Sequence, residues 1–248
     1  MLPVEFGQRV EIGEDALAAD IQENGAMYVA STWLLPVLIA ITFHEAAHGF
    51  AARVLGDDTA LRLGRVTLNP LKHIDPFGTV LLPALLFLLR SPFLFGYAKP
   101  VPVNFRALRN PRRGMALVAA AGPATNIALA ILAALLFHVI RWLPPTAARW
   151  VADNLRNALI INVILAVFNM FPLPPLDGGR IAVGLLPEAM GRSLARLEPY
   201  GMAILIGLLF ILPLIGAQIG IDLRIVSHLI NLATVAIIDV ILRVTGGL

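Results

Sequence analysis

Residues 27–49 read MYVASTWLLPVLIAITFHEAAHG, and this stretch decides both the fold class and the chemistry to look for. No charged residue occurs from 27 to 43, so the stretch is long and apolar enough to form a membrane-spanning helix. The end of this helix carries His44, Glu45 and His48. Ionisable side chains at membrane depth are costly, and they therefore indicate a functional site.

The two histidines have the spacing of a metal site. On a helix, His44 and His48 project from one face and can bind one ion through two ring nitrogens, whereas Glu45 lies beside the ion. A catalytic zinc site normally has three protein ligands. Because the chain contains no cysteine, the third ligand must be a histidine or a carboxylate.

Composition places the whole chain in a membrane. Of its 248 residues, 58% are hydrophobic and only 14% are charged, and the mean hydropathy is +0.81. We predict a mostly α polytopic bundle of about five or six membrane helices, with a re-entrant hydrophobic element and short β-strand or loop segments near the active site. Further apolar runs lie at 114–143, 155–171, 200–215 and 219–242. The net charge of +3 is small and argues against nucleic-acid binding.

The predicted domain organisation is simple. We expect an acidic tail over 1–26, which has six acidic residues and one arginine and so does not resemble a cleaved secretory signal. A single membrane-embedded domain is expected over 27–248, with a catalytic core at about 27–186 and C-terminal helices at about 197–243.

Basic residues predict the topology, because short cytoplasmic loops are enriched in lysine and arginine. The region after the first helix is basic, and so is 99–113. If both are cytoplasmic, the apolar run at 77–95 must enter the membrane and return on the same side. The alternation at 64–68 predicts a short strand, and the alternate prolines in 97–104 predict an extended edge or loop.

A candidate for the third ligand follows the apolar run at 155–171. Residues 169–180 read NMFPLPPLDGGR, in which three prolines break an apolar helix before Asp177. With a re-entrant 77–95, Asp177 returns to the cytoplasmic side, where the histidine pair is expected. A cap or turn before Gly178 is the alternative role for Asp177, and Asn169 could equally cap or pack a helix end.

Five blocks together resemble the site-2 protease family of intramembrane zinc metalloproteases: FHEAAHG (43–49), GRVTLNPLKHIDPFGT (64–79), GYAKPVPVNF (96–105), AAGPATN (120–126) and NMFPLPPLDGG (169–179). The resemblance implies one Zn²⁺ per chain, with His44, His48 and Asp177 as ligands and Glu45 as catalytic base. It also implies that Asn169 holds the substrate or its developing oxyanion. The chain resembles a compact type, with room for neither a PDZ nor a nucleotide-sensing domain.

The resemblance further implies a substrate and a location. The substrate is a transmembrane protein or peptide within the lipid bilayer, and the location is the plasma membrane of a prokaryote, with the active site toward the cytoplasm. Two other functions remain to be weighed: a metal transporter using the same side chains as a transit site, and an inactive scaffold. Transporters usually spread such ligands over several spans, and a scaffold is expected to lack Glu45 or a ligand.

Overall fold

A computed structural model describes residues 21–81, 85 and 96–246, and within them it contains helices but no strand. The α-helices are α1 (Ala26–Val54), α2 (Thr59–Arg62), α3 (Pro111–Leu136), α4 (Pro145–Asn169), α5 (Asp177–Leu185), α6 (Glu188–Ala195), α7 (Glu198–Ile206), α8 (Leu212–Ile219) and α9 (Ile225–Thr245). Short 3₁₀ helices occupy Pro70–Lys72, Phe105–Ala107 and Phe137–Trp142, and π-helices occupy Pro76–Leu81 and Gly207–Ile211.

Among the described residues, five helical segments are long and apolar enough to cross a membrane, which confirms the predicted mostly α polytopic bundle. They are Ala26–Val54, Pro111–Trp142, Ala147–Asn169, Glu198–Ile219 and Ile225–Thr245. The protein is therefore an integral membrane protein.

The core of the bundle lies between α3, α4 and α9. Ala130, Ala133 and Ala134 of α3 are buried against Leu159, Ile160 and Val163 of α4, and Ile238, Ile241 and Leu242 of α9 complete this cluster. Small side chains let helix backbones approach closely, which compensates for the weak hydrophobic drive between helices in lipid.

The direction of α9 follows from its contacts with α3. At one end, His138 Nε2 lies 2.7 Å from the carbonyl oxygen of Thr245. Nearer the other end, Leu229 of α9 and Ala120 of α3 line the same apolar groove. The two helices therefore run parallel, and α9 begins at the end of the bundle where α3 begins.

The segment Glu198–Ile219 consequently does not carry the chain across the bundle. Its first residue, Glu198, forms an ion pair with Arg180 of α5 at 3.0 Å, and Met202 lines the same cavity as the end of α4. Because α9 starts at that same end, the chain from Glu198 to the start of α9 begins and ends at one side of the bundle, despite the length and apolar composition of the segment.

The strand predicted over 64–68 is wrong. These residues form a turn followed by bends. Arg65 N–H donates to the carbonyl oxygen of Ala60 at 2.8 Å, and Asn69 N–H donates to Thr67 Oγ1 at 3.1 Å. Local hydrogen bonds thus take the backbone groups that a strand would need for a partner.

Two predictions fall mostly outside the described residues. Most of the expected acidic tail (1–26) is undescribed, and so is most of the 77–95 run, including its depth in the membrane.

The ends of that run nevertheless meet. Tyr97 N–H donates to the carbonyl oxygen of Gly78 at 3.0 Å, and Thr79 Oγ1 donates to that of Tyr97 at 2.8 Å. Just before α3, Arg109 N–H donates to the carbonyl oxygen of Leu55 at 3.0 Å. The chain between α1 and α3 therefore makes no net crossing, as a re-entrant element requires.

Candidate metal centre and active-site cavity

Three potential ligand atoms converge inside the bundle. His44 Nε2 and His48 Nε2, both on α1, lie 3.1 Å apart, and Asp177 Oδ2 at the start of α5 lies 3.2 and 3.4 Å from them. All three residues are buried, with exposed fractions of 7%, 9% and 7%. The structure thus brings together the three side chains that the sequence nominated as ligands.

The other ring nitrogens determine the tautomers. His48 Nδ1 lies 2.8 Å from the carbonyl oxygen of Val118, which can only accept a hydrogen bond, so this nitrogen carries the proton. His44 Nδ1 lies 2.5 Å from Asn126 Oδ1. In neutral imidazoles with protonated Nδ1, each Nε2 presents a lone pair.

A chain of amides orients the Asn126 side chain. Asn126 Nδ2 donates to the carbonyl oxygen of Ala40 at 3.3 Å and to Asn162 Oδ1 at 2.8 Å. Asn162 Nδ2 in turn donates to the carbonyl oxygen of Ala158 at 2.8 Å. Because both Nδ2 hydrogens have acceptors, Asn126 must present its oxygen to His44. Such outer hydrogen bonds orient metal-binding histidines.

The donor set fits a zinc ion. Two imidazole lone pairs and a carboxylate oxygen face one another, and Asp177 Oδ2 is buried without a hydrogen-bond donor. A cation between them would satisfy all three atoms. Two histidines and one carboxylate form a ligand set found in catalytic zinc sites.

Close backbone packing places Asp177 beside the histidines. Helix α4 ends at Asn169, and the proline-rich turn leads into α5, which begins with Asp177. A Cβ atom at Gly178 would overlap the carbonyl oxygen of Met170, and one at Gly179 would overlap the backbone nitrogen of Pro174. Glycine is required at both positions because α5 packs directly on the turn before it.

A cavity of about 460 Å³ opens beside the three ligand atoms. Its lining includes Glu45, Asn169 and Arg180 together with Tyr97, Val101 and Phe105 of the segment 96–105. Glu45 is half-buried, and its Oε2 accepts a hydrogen bond from Val101 N–H at 2.8 Å. A carboxylate therefore lies in the cavity next to the candidate metal centre.

Asn169 lies in the cavity at the end of α4. Its Nδ2 donates to the carbonyl oxygen of Leu165, four residues earlier, at 3.0 Å. A side-chain amide has two N–H groups, so this bond leaves one for another acceptor.

The segment 96–105 is anchored by Asp57, which lies in the turn between α1 and α2. Asn104 N–H donates to Asp57 Oδ2 at 2.6 Å, and Thr59 N–H donates to Asp57 Oδ1 at 2.9 Å. Burial alone would raise the pKa of Asp57, but the hydrogen bonds from Thr59 and Asn104 outweigh it and hold this pKa below its usual value. The carboxylate thus stays charged and keeps this wall of the cavity in place.

Sequence reasoning missed several groups around the site. Neither Asn126 nor Asn162 is among the site residues predicted from the sequence, although a lone amide in an apolar run is a usable signal. The carbonyl of Val118 and the N–H of Val101 are backbone groups, which no residue type indicates. His73 contacts the carbonyl oxygen of Thr67 at 2.9 Å and is not among the residues lining the cavity.

Comparison with known proteins defines the class. The family model of peptidase family M50 matches residues 144–214. YwhC of Bacillus subtilis, named as a zinc metalloprotease, is 38% identical over 185 residues, covering 73% of this chain and 80% of its own. Rip2 of Mycobacterium tuberculosis (strain H37Rv), named likewise, is 34% identical over 200 residues, covering 77% of this chain and 73% of its own. No solved structure matches significantly.

The chain therefore belongs to peptidase family M50, the site-2 protease family. It is a zinc metalloprotease, and Zn²⁺ is its cofactor.

Proposed function

We propose that this protein is an intramembrane zinc endopeptidase that hydrolyses peptide bonds in or near transmembrane segments of other membrane proteins, in regulated intramembrane proteolysis. His44, His48 and Asp177 hold the ion, Glu45 is the catalytic base, and Asn169 contacts the substrate. The observation that carries this proposal is the meeting of Nε2, Nε2 and Oδ2 within 3.4 Å beside a cavity that contains Glu45.

A Zn²⁺ held by His44, His48 and Asp177 would supply Lewis-acid chemistry, which polarises a carbonyl group and lowers the pKa of a water molecule to about 7. Glu45 accepts the proton of the attacking water and passes it to the leaving nitrogen. The free N–H of Asn169 donates to the oxygen on which negative charge develops. The relay through Asn126 and the carbonyl of Val118 orient both imidazoles and hold a proton on each Nδ1, so that each Nε2 faces the ion.

The distribution of basic residues indicates which end of the bundle faces the cytoplasm. The end of the bundle that contains the site carries most of the basic loop residues, so we assign that end to the cytoplasm of a prokaryotic plasma membrane. The bacterial origin of the relatives supports the prokaryotic part of this assignment. A buried site in the cytoplasmic half suits a substrate that reaches it through the lipid bilayer.

Glu45→Gln tests the proposal. The amide cannot accept a proton, so we expect cleavage of a membrane-embedded reporter substrate to fall by at least about a hundredfold. The zinc content of the purified protein should stay at one ion per chain, because Glu45 is not a ligand. Wild-type cleavage by this variant would contradict the role of Glu45. Zinc flux into proteoliposomes without any proteolysis would favour a transporter.

A further inference from the structure

Residues 100–102 read Pro-Val-Pro and provide a single backbone donor beside the site. Proline has no N–H, so Val101 has the only one in these three residues. That N–H donates to Glu45 Oε2 at 2.8 Å. The flanking prolines also restrict the backbone to extended conformations, so the direction of the Val101 N–H is constrained locally.

Arg65 holds the opposite edge of the same segment. Its Nη2 donates to the carbonyl oxygen of Lys99 at 2.7 Å and lies 3.5 Å from that of Pro100. Arg65 is 8% exposed, and among the described residues no carboxylate lies within ion-pair distance of it. A buried guanidinium is costly, so its use on backbone carbonyls indicates a specific role.

Packing against α1 links the two edges. A Cβ atom at Gly49 would lie 3.2 Å from Val66 Cγ2 and 3.4 Å from Val101 Cγ1. Gly49 is one turn beyond Glu45 on the same helix. Val66, which follows Arg65, and Val101, whose N–H donates to Glu45, therefore both pack against α1 at Gly49.

We propose that Arg65 is a positioning residue for Glu45, acting through the backbone of residues 99–101. By binding the Lys99 and Pro100 carbonyls, Arg65 holds the Val101 N–H against Oε2, which leaves Oε1 of Glu45 directed to the cavity. A glutamate side chain otherwise rotates broadly about its last torsion angle. This inference rests on the proposed function of Glu45 and adds a determinant of its orientation.

Arg65→Met tests the proposal in the full-length protein reconstituted in lipid. Hydrogen bonds to charged groups are among the strongest in proteins, and this variant loses those that position Glu45. We therefore expect kcat to fall about tenfold to a hundredfold. KM and the zinc content should stay at their wild-type values, because neither substrate nor ion contacts Arg65. Arg65→Lys keeps one donor and should restore most of kcat. Arg62→Met is the matched control, since Arg62 is exposed three residues earlier, and it should have wild-type activity.

A second pair of variants tests the backbone contact. Val101→Pro removes the N–H, whereas Val101→Ala shortens the side chain and keeps it. We expect kcat of Val101→Pro to be about tenfold or more below that of Val101→Ala, with zinc content equal in both.

The outcomes separate the two proposals. Wild-type cleavage by Glu45→Gln would overturn the proposed function itself. If Glu45→Gln is inactive but Arg65→Met keeps wild-type kcat, the role of Arg65 is overturned alone. If Arg65→Met fails to fold or loses zinc, the Val101 pair decides, and equal kcat values for Val101→Pro and Val101→Ala overturn the proposal.

Discussion

At the scale of single residues, the metal centre depends on what surrounds the imidazoles as much as on the ligands. Gly122 of α3 faces both rings, and a Cβ atom there would lie 2.5 Å from His48 Nε2 and 2.6 Å from His44 Cε1. Asn126, four residues later, accepts a hydrogen bond from the Nδ1–H of His44 through its Oδ1. The AAGPATN block therefore serves the site, with one position providing space and another providing a hydrogen bond.

Gly122→Ala should disrupt zinc binding. The added methyl group would occupy the space next to the metal-facing nitrogens, so we expect zinc affinity to fall by at least about tenfold. Zinc competition with a chelator measures this change. Gly207→Ala is the matched control, because an added Cβ at Gly207 has no atom within 4 Å. Equal zinc affinities for the two variants would contradict the prediction.

Asn126→Leu should weaken zinc binding by about tenfold to a hundredfold, because His44 loses the acceptor that sets its tautomer. Asn126→Asp retains an acceptor oxygen, so it should bind zinc more tightly than Asn126→Leu. Zinc titration of both proteins measures the difference. The reverse order of affinities would show that Asn126 acts through packing.

At the scale of elements, the proline-rich turn after α4 connects the metal centre to the segment Glu198–Ile219. Gly201 of α7 packs directly on this turn, since a Cβ atom there would overlap the carbonyl oxygen of Pro174. Arg180 adds an ion pair to Glu198 and lies 5.5 Å from the Phe105 ring centre. The segment is thus attached to the site at its beginning.

Gly201→Ala should destabilise the protein by about 1–3 kcal/mol, because the methyl group overlaps a fixed carbonyl in a packed turn. Thermal unfolding in detergent measures the change. Gly207 lies on the same segment, and a Cβ atom added there would have no atom within 4 Å. Gly207→Ala should therefore change stability little. Equal melting temperatures for the two variants would contradict the close approach at Pro174.

At the scale of the whole molecule, loop charges are segregated between the two ends of the bundle. The end with the metal centre carries Arg53, Arg62, Lys72, Lys99, Arg106, Arg109, Arg112 and Arg113, and the opposite end carries Arg141, Arg149 and, in the last turn of α9, Arg243. The turn between α8 and α9, with Asp222, lies at the metal-centre end because α9 runs parallel to α3. Of the five long apolar segments in the described part of the chain, four therefore run between the ends of the bundle, and Glu198–Ile219 does not.

Cysteine labelling tests this topology directly, since the chain has no cysteine of its own. Single variants Arg62→Cys and Asp222→Cys should react with a membrane-impermeant maleimide only in inside-out vesicles, and Arg141→Cys only in intact cells. The control is labelling of each variant after detergent is added, when all three should react. If Asp222→Cys reacts from the same side as Arg141→Cys, the segment Glu198–Ile219 crosses the membrane.

The sequence by itself determined the helical membrane class and the histidine pair of the candidate site, because hydropathy and the His-x-x-x-His spacing are local properties. Asp177 became a candidate ligand through the resemblance of residues 169–179 to the family. The strand predicted at 64–68 is wrong. Apolar and polar residues alternate there as in a strand, but hydrogen bonds of a turn use the backbone groups that a strand would need.

Only the tertiary structure decided how the ligands are held and where the chain turns back. His44 meets Asn126 across 82 positions and Glu45 meets Val101 across 56, and such contacts depend on helix packing rather than on neighbouring residues. The path of the segment Glu198–Ile219 also depends on helix packing. Its composition resembles a membrane span, but the direction of α9 against α3 shows that it returns to the side where it began.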